Sequence, residues 1–425
     1  MVVLEAPPVR DTRRVSAAVA AAGVSSFALL YAPQPVLPQL AAGFRLDPGS
    51  ASLTIGVATG ALAVAVLPVA WLAGRVGRRR VIVWSVLASV IIGLLLPLAP
   101  SFPVLLVMRA VQGVAVAGFA GVAAAYLADA VGTARLPAAV GAMIAGNSVG
   151  GMLGRLGAGF AAGPMGWHGA LLAVAVLSLL CALFAALTLP RDHAPEPGSE
   201  AADLGSEALA RGSGIQGRES GGLASGSQAS GRGSPDAEPG RRARIGAGLV
   251  GPFAVGTLAT GAFVALYNAA GFRLAAPPLS LAPAAASLVF LSYAMGTASS
   301  AAAGRLAARL GWTKALVTAL AVTVAGSVLT AHPSLPLIVT GFAVLTAGFF
   351  AAHAIANAWV AAEAPPSARG RAAGVYTLCY YLGSGLGGTA GGVVYGHAGW
   401  AWLIGLTSAW LALAVLAVLM TRRSR

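Results

Sequence analysis

Arg109 and Arg155 are charged side chains that fall inside long apolar runs of this 425-residue chain. Carrying a guanidinium into hydrocarbon costs at least about 2.5 kcal/mol, so each must face water, a protein partner or a solute. There it either recognises an anion through its planar fork or ties helices together through backbone carbonyls. At about 1.5 Å per residue, both lie about 10 Å below the same surface of the apolar layer, where they can converge on one solute. Gln112, one turn beyond Arg109, shares its face. His353 also falls within an apolar run, with Asn357 at i+4. Its imidazole can change charge near neutral pH, or it can serve as a hydrogen-bonded packing group. No Asp or Glu falls in the middle of an apolar run. This disfavours a permanently cationic ligand, which wants an embedded counter-charge, and leaves a neutral or anionic one. Asp129 and Glu363, at the ends of two runs, are the remaining candidates for carrying a proton.

The runs that position these residues define the fold class. The composition is 57% hydrophobic and 9% charged, with a mean hydropathy of +0.81, far more apolar than a soluble domain requires. Counting runs of about 20 residues as helices that cross a layer of about 30 Å predicts twelve spans. They centre near residues 27, 61, 90, 115, 150 and 177, then 257, 292, 322, 348, 383 and 410.

A formal net charge of +14 in a soluble protein would point to nucleic acid, but the placement of the cations gives a different reason. Apart from Arg45, Arg273, Arg109 and Arg155, every Lys and Arg falls on one side of the predicted spans. By the positive-inside rule that side is cytoplasmic, and both termini lie there. Basicity then records topology, and nucleic-acid binding is not expected. Cys181 and Cys379 lie in apolar runs and read as small buried hydrophobes rather than a disulfide or metal site.

The chain divides into a tail (residues 1–14), a first bundle (15–189), a Gly/Ser/Glu/Arg-rich linker (190–244), a second bundle (245–421) and a short tail (422–425). The linker's composition predicts a flexible tether. The bundles read as two copies of one unit. Leu72-Ala73-Gly74-Arg75-Val76-Gly77-Arg78-Arg79-Arg80 returns in outline as Leu306-Ala307-Ala308-Arg309-Leu310-Gly311-Trp312-Thr313-Lys314. Asp129 and Glu363 match at the same offset, as do Arg135 and Arg369. Gly166-Trp167 and Gly399-Trp400 open the sixth and twelfth spans, where Trp is expected at the membrane–water interface. Duplicated membrane folds place a solute pathway between their copies. Pro33, Pro35 and Pro38 break the first span, and broken helices often line a cavity, so Tyr31 and Gln34 are candidate lining groups. Tyr376, Tyr380 and Tyr381 are further candidates. Asp47-Pro48 reads as an N-cap with Pro at the first helical position.

Taken together these residues resemble the major facilitator superfamily, over the whole chain except the linker. The loop after span two is similar to the signature G-x-L-A-D-R-x-G-R-R, with Leu72, Ala73, Arg75, Gly77, Arg78 and Arg79 in place. Ala70 stands where the first Gly belongs, and Gly74 where the Asp belongs. In the family that Asp meets the start of the eleventh helix and helps lock one conformation. Arg109-Ala110-Val111-Gln112-Gly113 is similar to R-x-x-Q-G. The stretch from Gly146 to Leu156 resembles the antiporter motif G-P-x-x-G-G, with Asn147 replacing the Pro. With Tyr31-Ala32-Pro33-Gln34-Pro35, these point to the drug:proton antiporter branch.

The resemblance implies an all-α integral membrane fold, twelve transmembrane helices in two pseudo-symmetric six-helix bundles. It also implies efflux of a small organic solute by alternating access with proton antiport at the bacterial inner membrane; uptake or exchange of an anionic or neutral metabolite is the alternative. The expected solute site comprises Arg109, Gln112, Arg155, Asn147, Tyr31 and Gln34. The expected cytoplasmic gate comprises Arg75, Gly77, Arg78 and Asp129, with Arg309, Gly311 and Glu363 in the second copy, closed by the pairs Arg78–Asp129 and Arg309–Glu363. Gly150, Gly151 and Gly154 in span five, and Gly387 and Gly388 in span eleven, present small faces that the resemblance places between the bundles. The expected partners are the solute, protons and the bilayer, for a chain working as a monomer. There is no G-x-x-x-x-G-K-[ST] to bind ATP and no nucleophile–base or metal constellation, so neither an enzyme nor a cofactor is expected.

Overall fold

The structure, a computed structural model, describes residues 12–131, 135–190, 246–365 and 368–423. Among them every element is helical and none is a strand. Hydrocarbon imposes this, because a backbone within it must satisfy its own amides and carbonyls. The expected linker and the outer parts of both tails lie outside the described residues.

Ten helical stretches are long and apolar enough to cross a bilayer. Eight are single spans: one (Thr12–Phe44), two (Pro48–Val76), three (Arg78–Leu98), four (Phe102–Val131), seven (Val250–Ala275), eight (Pro283–Leu310), nine (Trp312–Leu329) and ten (Leu335–Glu363). The other two, Leu136–Thr188 and Arg369–Arg423, hold 53 and 55 residues. At about 1.5 Å per residue that is more than twice the hydrocarbon thickness of about 30 Å. Each breaks at one glycine, Gly166 (φ 64°) and Gly399 (φ 79°), and so supplies two spans, five with six and eleven with twelve. Among the described residues the total is twelve.

The duplication is visible in the backbone. Gly77 (φ 99°) is the single residue between spans two and three, and Gly311 (φ 75°) is its counterpart between eight and nine. Only glycine takes such φ values without steric cost, so the repeated turn needs the repeated residue. Asp47 caps span two, accepting from the amides of Gly49 at 2.8 Å and Ser50 at 3.0 Å. Span one is a helix to Tyr31, a tight turn at Gln34–Val36 and a short helix Leu37–Phe44.

Each half has its own buried apolar core, while large apolar side chains such as Trp84, Leu98 and Leu187 point outward. A fourth cluster joins Leu62, Ala63 and Val66 of span two to Tyr381 of span eleven, across the halves. Trp167 and Trp400, at the starts of spans six and twelve, are buried against the protein. The Trp400 indole donates to the Thr330 hydroxyl at 3.0 Å, and burial of so large an apolar ring is stabilising once its N–H is satisfied.

The glycine faces sit elsewhere than expected. Gly146, Gly150 and Gly154 of span five lie on Ala20, Val24 and Ala28 of span one, within the same half. Gly383, Gly387 and Gly391 of span eleven lie on Thr257, Gly261 and Ala265 of span seven in the same way. A Cβ on Gly150 would fall 2.5 Å from the Val24 Cα, so these crossings need glycine for backbone-to-backbone approach. Gly150, Gly154 and Gly387 are therefore intra-bundle contacts, a correction to their placement between the bundles. Gly151 faces Arg155 and Tyr31, and Gly388 faces Val264 and Asn268, so these two also face their own halves rather than the other bundle. The halves meet through other small residues: Gly56 of span two on Gly385 of span eleven, and Gly159 of span five on Ser287 of span eight.

Spans two and eleven stay in contact from Pro48 and Gly396 to Leu67 and Gly374. Spans five and eight meet nearer the end opposite the arginine-rich loops. Toward the arginine-rich end, Gly146 and Gly150 turn to span one and Gly296 turns to Phe350 of span ten, and Met295 and much of residues 297–310 are exposed.

Candidate functional site

The two intramembrane arginines have different surroundings. Arg109 is wholly buried. Its Nε donates to the Thr54 carbonyl at 2.9 Å, Nη1 to the Leu29 carbonyl at 3.2 Å and to the Gln112 side-chain oxygen, and Nη2 to the Leu30 carbonyl at 2.6 Å. The reason lies in span one. Pro33 has no N–H to give the Leu29 carbonyl, and the helix ends at Tyr31, so the last carbonyls are left without partners. A cation at that negative helix terminus satisfies them. Gln112 passes the network on, donating to the Ser89 carbonyl at 2.9 Å. Arg109 and Gln112 are thus a structural tie among spans one to four, and their expected place in the solute site is corrected: four of the guanidinium's five donors are already bonded.

Arg155 is nearly as buried, at 3% exposure, but is less satisfied. Its Nε donates to the Gln34 side-chain oxygen at 2.6 Å and Nη1 to the Gly151 carbonyl at 2.8 Å, while Nη2 makes no hydrogen bond among the described residues. Its charge is met instead by rings from both halves. The guanidinium carbon lies 4.0 Å from the ring centre of Tyr31, 4.6 Å from Tyr293 and 5.5 Å from Phe290. Cation–π contacts contribute about 0.5–2 kcal/mol each, against the several kcal/mol that desolvating the ion costs. Among the described residues no carboxylate pairs with it.

Gln34 carries the contact across the halves, its Nε2 donating to Oδ1 of Asn268 in span seven at 2.8 Å. Tyr293 is held by edge contacts to Phe263, Tyr267 and Phe350, with ring centres 5.6, 5.1 and 5.7 Å away. The Tyr267 hydroxyl bonds Ser292 and Thr346 at 2.5 and 2.6 Å. The ring series continues through Phe350 and Phe349 to His353. His353 Nδ1 is 2.8 Å from the Tyr376 hydroxyl, and its ring is 4.8 Å from that of Tyr380.

Of the expected solute residues, the structure brings Tyr31, Gln34 and Arg155 together. Asn147 is apart, with its Oδ1 buried against Gly23 of span one and unpartnered. Asn268, Phe290 and Tyr293 belong to the cluster and were not singled out in the sequence. The polar pair Tyr267-Asn268 in an apolar run was an available signal for the first; Phe290 and Tyr293 had none, being ordinary hydrophobes for a span.

At the arginine-rich end, Arg78 donates to the Asp129 carboxylate and to the Ala125 carbonyl at 3.1 Å. Among the described residues the second expected pair does not form: Arg309 and Glu363 are both exposed and are not joined to each other. Arg75 lies over the Trp71 ring at 3.9 Å, and Arg79 caps the end of span six through the carbonyls of Leu189 and Ala186.

Comparison with known proteins places this geometry. A family model described as Major Facilitator Superfamily matches residues 19–219 and 253–425. The chain is 33% identical over 387 residues to the inner membrane transport protein YnfM of Escherichia coli (strain K12), covering 91% of this chain and 85% of that one. It is 31% identical over 403 residues to the MFS-type transporter YybF of Bacillus subtilis (strain 168), covering 95% and 92%. Among solved structures, a bacterial homolog of the human lysosomal transporter Spinster, inward-facing and occupied, matches with a TM-score of 0.76 at 16% identity, covering 99% and 98%. The nucleoside transporter NupG matches with a TM-score of 0.68 at 16% identity, covering 96% and 99%. At those identities the structures share the fold alone. On the family match and the two sequence relatives, the chain belongs to the major facilitator superfamily, a multi-pass membrane transporter family.

Proposed function

We propose that this protein exports a small organic solute across the bacterial inner membrane by alternating access, with protons as the counter-ion and the arginine-rich end in the cytoplasm. The observation that carries the solute reading is Arg155, buried between the halves, bonded to Gln34 and ringed by Tyr31, Tyr293 and Phe290 without a counter-charge. Contacts across the halves toward the far end, and exposed residues of span eight toward the arginine-rich end, support a site reached from the arginine-rich end. The placement of cations supports its being cytoplasmic. Arg78 with Asp129 belongs to the gate at that end. Gly77, Gly311, Arg75, Arg309 and Glu363 share its loops. His353, hydrogen-bonded to Tyr376, and the span-end acids Asp129 and Glu363 are the proposed proton carriers.

The missing counter-charge also favours the second reading, uptake or exchange of an anionic metabolite, because an uncompensated cation attracts an anion whichever way it moves. Flux of a mixed metabolite panel in proteoliposomes under an imposed pH gradient tests both. Solute exit coupled to proton entry supports export; gradient-independent exchange of an anion supports the second; no movement of any solute rejects transport.

A further inference from the structure

Resting on the reading of Arg155 as the solute site, we infer that the site takes an aromatic monocarboxylate. The charge count comes first. Among the described residues one guanidinium in the cluster lacks a counter-ion, and the other intramembrane arginine, Arg109, is consumed by backbone carbonyls and Gln112. A monoanion neutralises the site. A dianion leaves one charge unpaired in a low-dielectric space, and a cation meets Arg155 with no acid to offset it. The geometry of the fork comes second. Nε is taken by Gln34, Nη1 has one bond to Gly151, and Nη2 has none, so adjacent Nη donors remain for a carboxylate.

The walls give the rest of the ligand. Around the guanidinium the surfaces are rings, Tyr31 from the first half and Phe290 and Tyr293 from the second. Edge-to-face stacking around Tyr293 continues through Phe350, and Tyr380 packs with Tyr31 against the cluster that joins the halves. A ligand whose carboxylate sits on the fork must lay its body on these rings, and a π-face is favoured there over an aliphatic one of equal size. Tyr31, Tyr293 and Tyr380 are each half-buried, and none of their hydroxyls makes a hydrogen bond among the described residues, whose side-chain bonds run elsewhere. These hydroxyls are polar groups on the rings of the cluster, able to meet the second carboxylate oxygen or a ring substituent.

The test is binding to the purified full-length protein, by calorimetry, with four probes: benzoate, benzamide, cyclohexanecarboxylate and terephthalate. Benzoate should bind about tenfold or more tightly than benzamide, which lacks the charge. It should exceed cyclohexanecarboxylate by a few-fold to about tenfold and should exceed terephthalate. Arg155→Gln should abolish the preference over benzamide. Should that variant misfold, Tyr293→Leu decides the ring: it should lose the preference over cyclohexanecarboxylate while keeping that over benzamide. Equal binding of benzoate and benzamide, no binding of any acid, or an unchanged ring preference in Tyr293→Leu overturns the inference. The same probes enter the proteoliposome panel. Flux of other solutes without these acids rejects the class and leaves transport standing, whereas no flux at all rejects transport.

Discussion

Gln34 donates to Asn268 across the two halves at 2.8 Å, and the same Gln34 amide accepts from Arg155 at 2.6 Å. One side chain therefore joins the proposed solute site to the contact that holds spans one and seven together. Replacing Asn268 with Leu leaves the Gln34 N–H unpaired in a buried place, a cost of about 1–3 kcal/mol levied on the closed arrangement. The population open at the far end should rise about fivefold or more. Ser287→Cys reports this, since Ser287 is buried against Gly159 at that end. In a background lacking Cys181 and Cys379, its labelling by a thiol reagent should speed up with Asn268→Leu; equal rates would show that this bond does not hold the closure.

Arg109→Met should destabilise the first half rather than alter solute preference. It strips donors from the carbonyls of Leu29, Leu30 and Thr54 together, and each buried orphan costs about 1–3 kcal/mol. Thermal unfolding in detergent should fall markedly, with Arg109→Lys recovering only part because it lacks the fork. A variant of wild-type stability with an altered solute profile would return Arg109 to the binding site.

Gly150→Leu and Gly387→Leu should both lose folded protein in the membrane. Each glycine lies on the backbone of a helix in its own half, Val24 and Gly261, so a side chain forces apart the span one–five or seven–eleven crossing. Monodisperse, stable protein that fails only in transport would restore these glycines to the sliding interface between the halves.

Asp129→Asn should change flux with little change in stability. The Asp129 side chain is 55% exposed and that of Arg78 18%, so the pair contributes about 1 kcal/mol or less to the fold. Flux should drop several-fold, and exchanging the two charges should recover part of it. Undiminished flux in Asp129→Asn would remove the pair from the gate.

The spans and their pairing into halves were legible in the sequence because the bilayer converts length and apolarity directly into helix count. The repeated turns at Gly77 and Gly311, and the breaks at Gly166 and Gly399, were legible because positive φ selects glycine. Helix faces were not. A four-residue glycine spacing announces a close crossing without naming the partner, so Gly150 read as an inter-bundle residue and lies on Val24 instead. Arg109 and Arg155 looked alike as isolated charges. What separates them is Pro33, which leaves the Leu29 carbonyl, 80 positions from Arg109, without a donor. Tyr293 is one aromatic residue in an apolar run, and it has its meaning only from the cation it comes to face.

Arg155 is the group that holds the solute in the proposed site. The most direct measurement is flux of the metabolite panel in proteoliposomes bearing wild-type protein and, at equal folded amount, Arg155→Gln. Every solute carried by the wild type should cease to move in the variant, while its thermal unfolding in detergent shows a folded protein. Undiminished flux of those solutes through Arg155→Gln would contradict it.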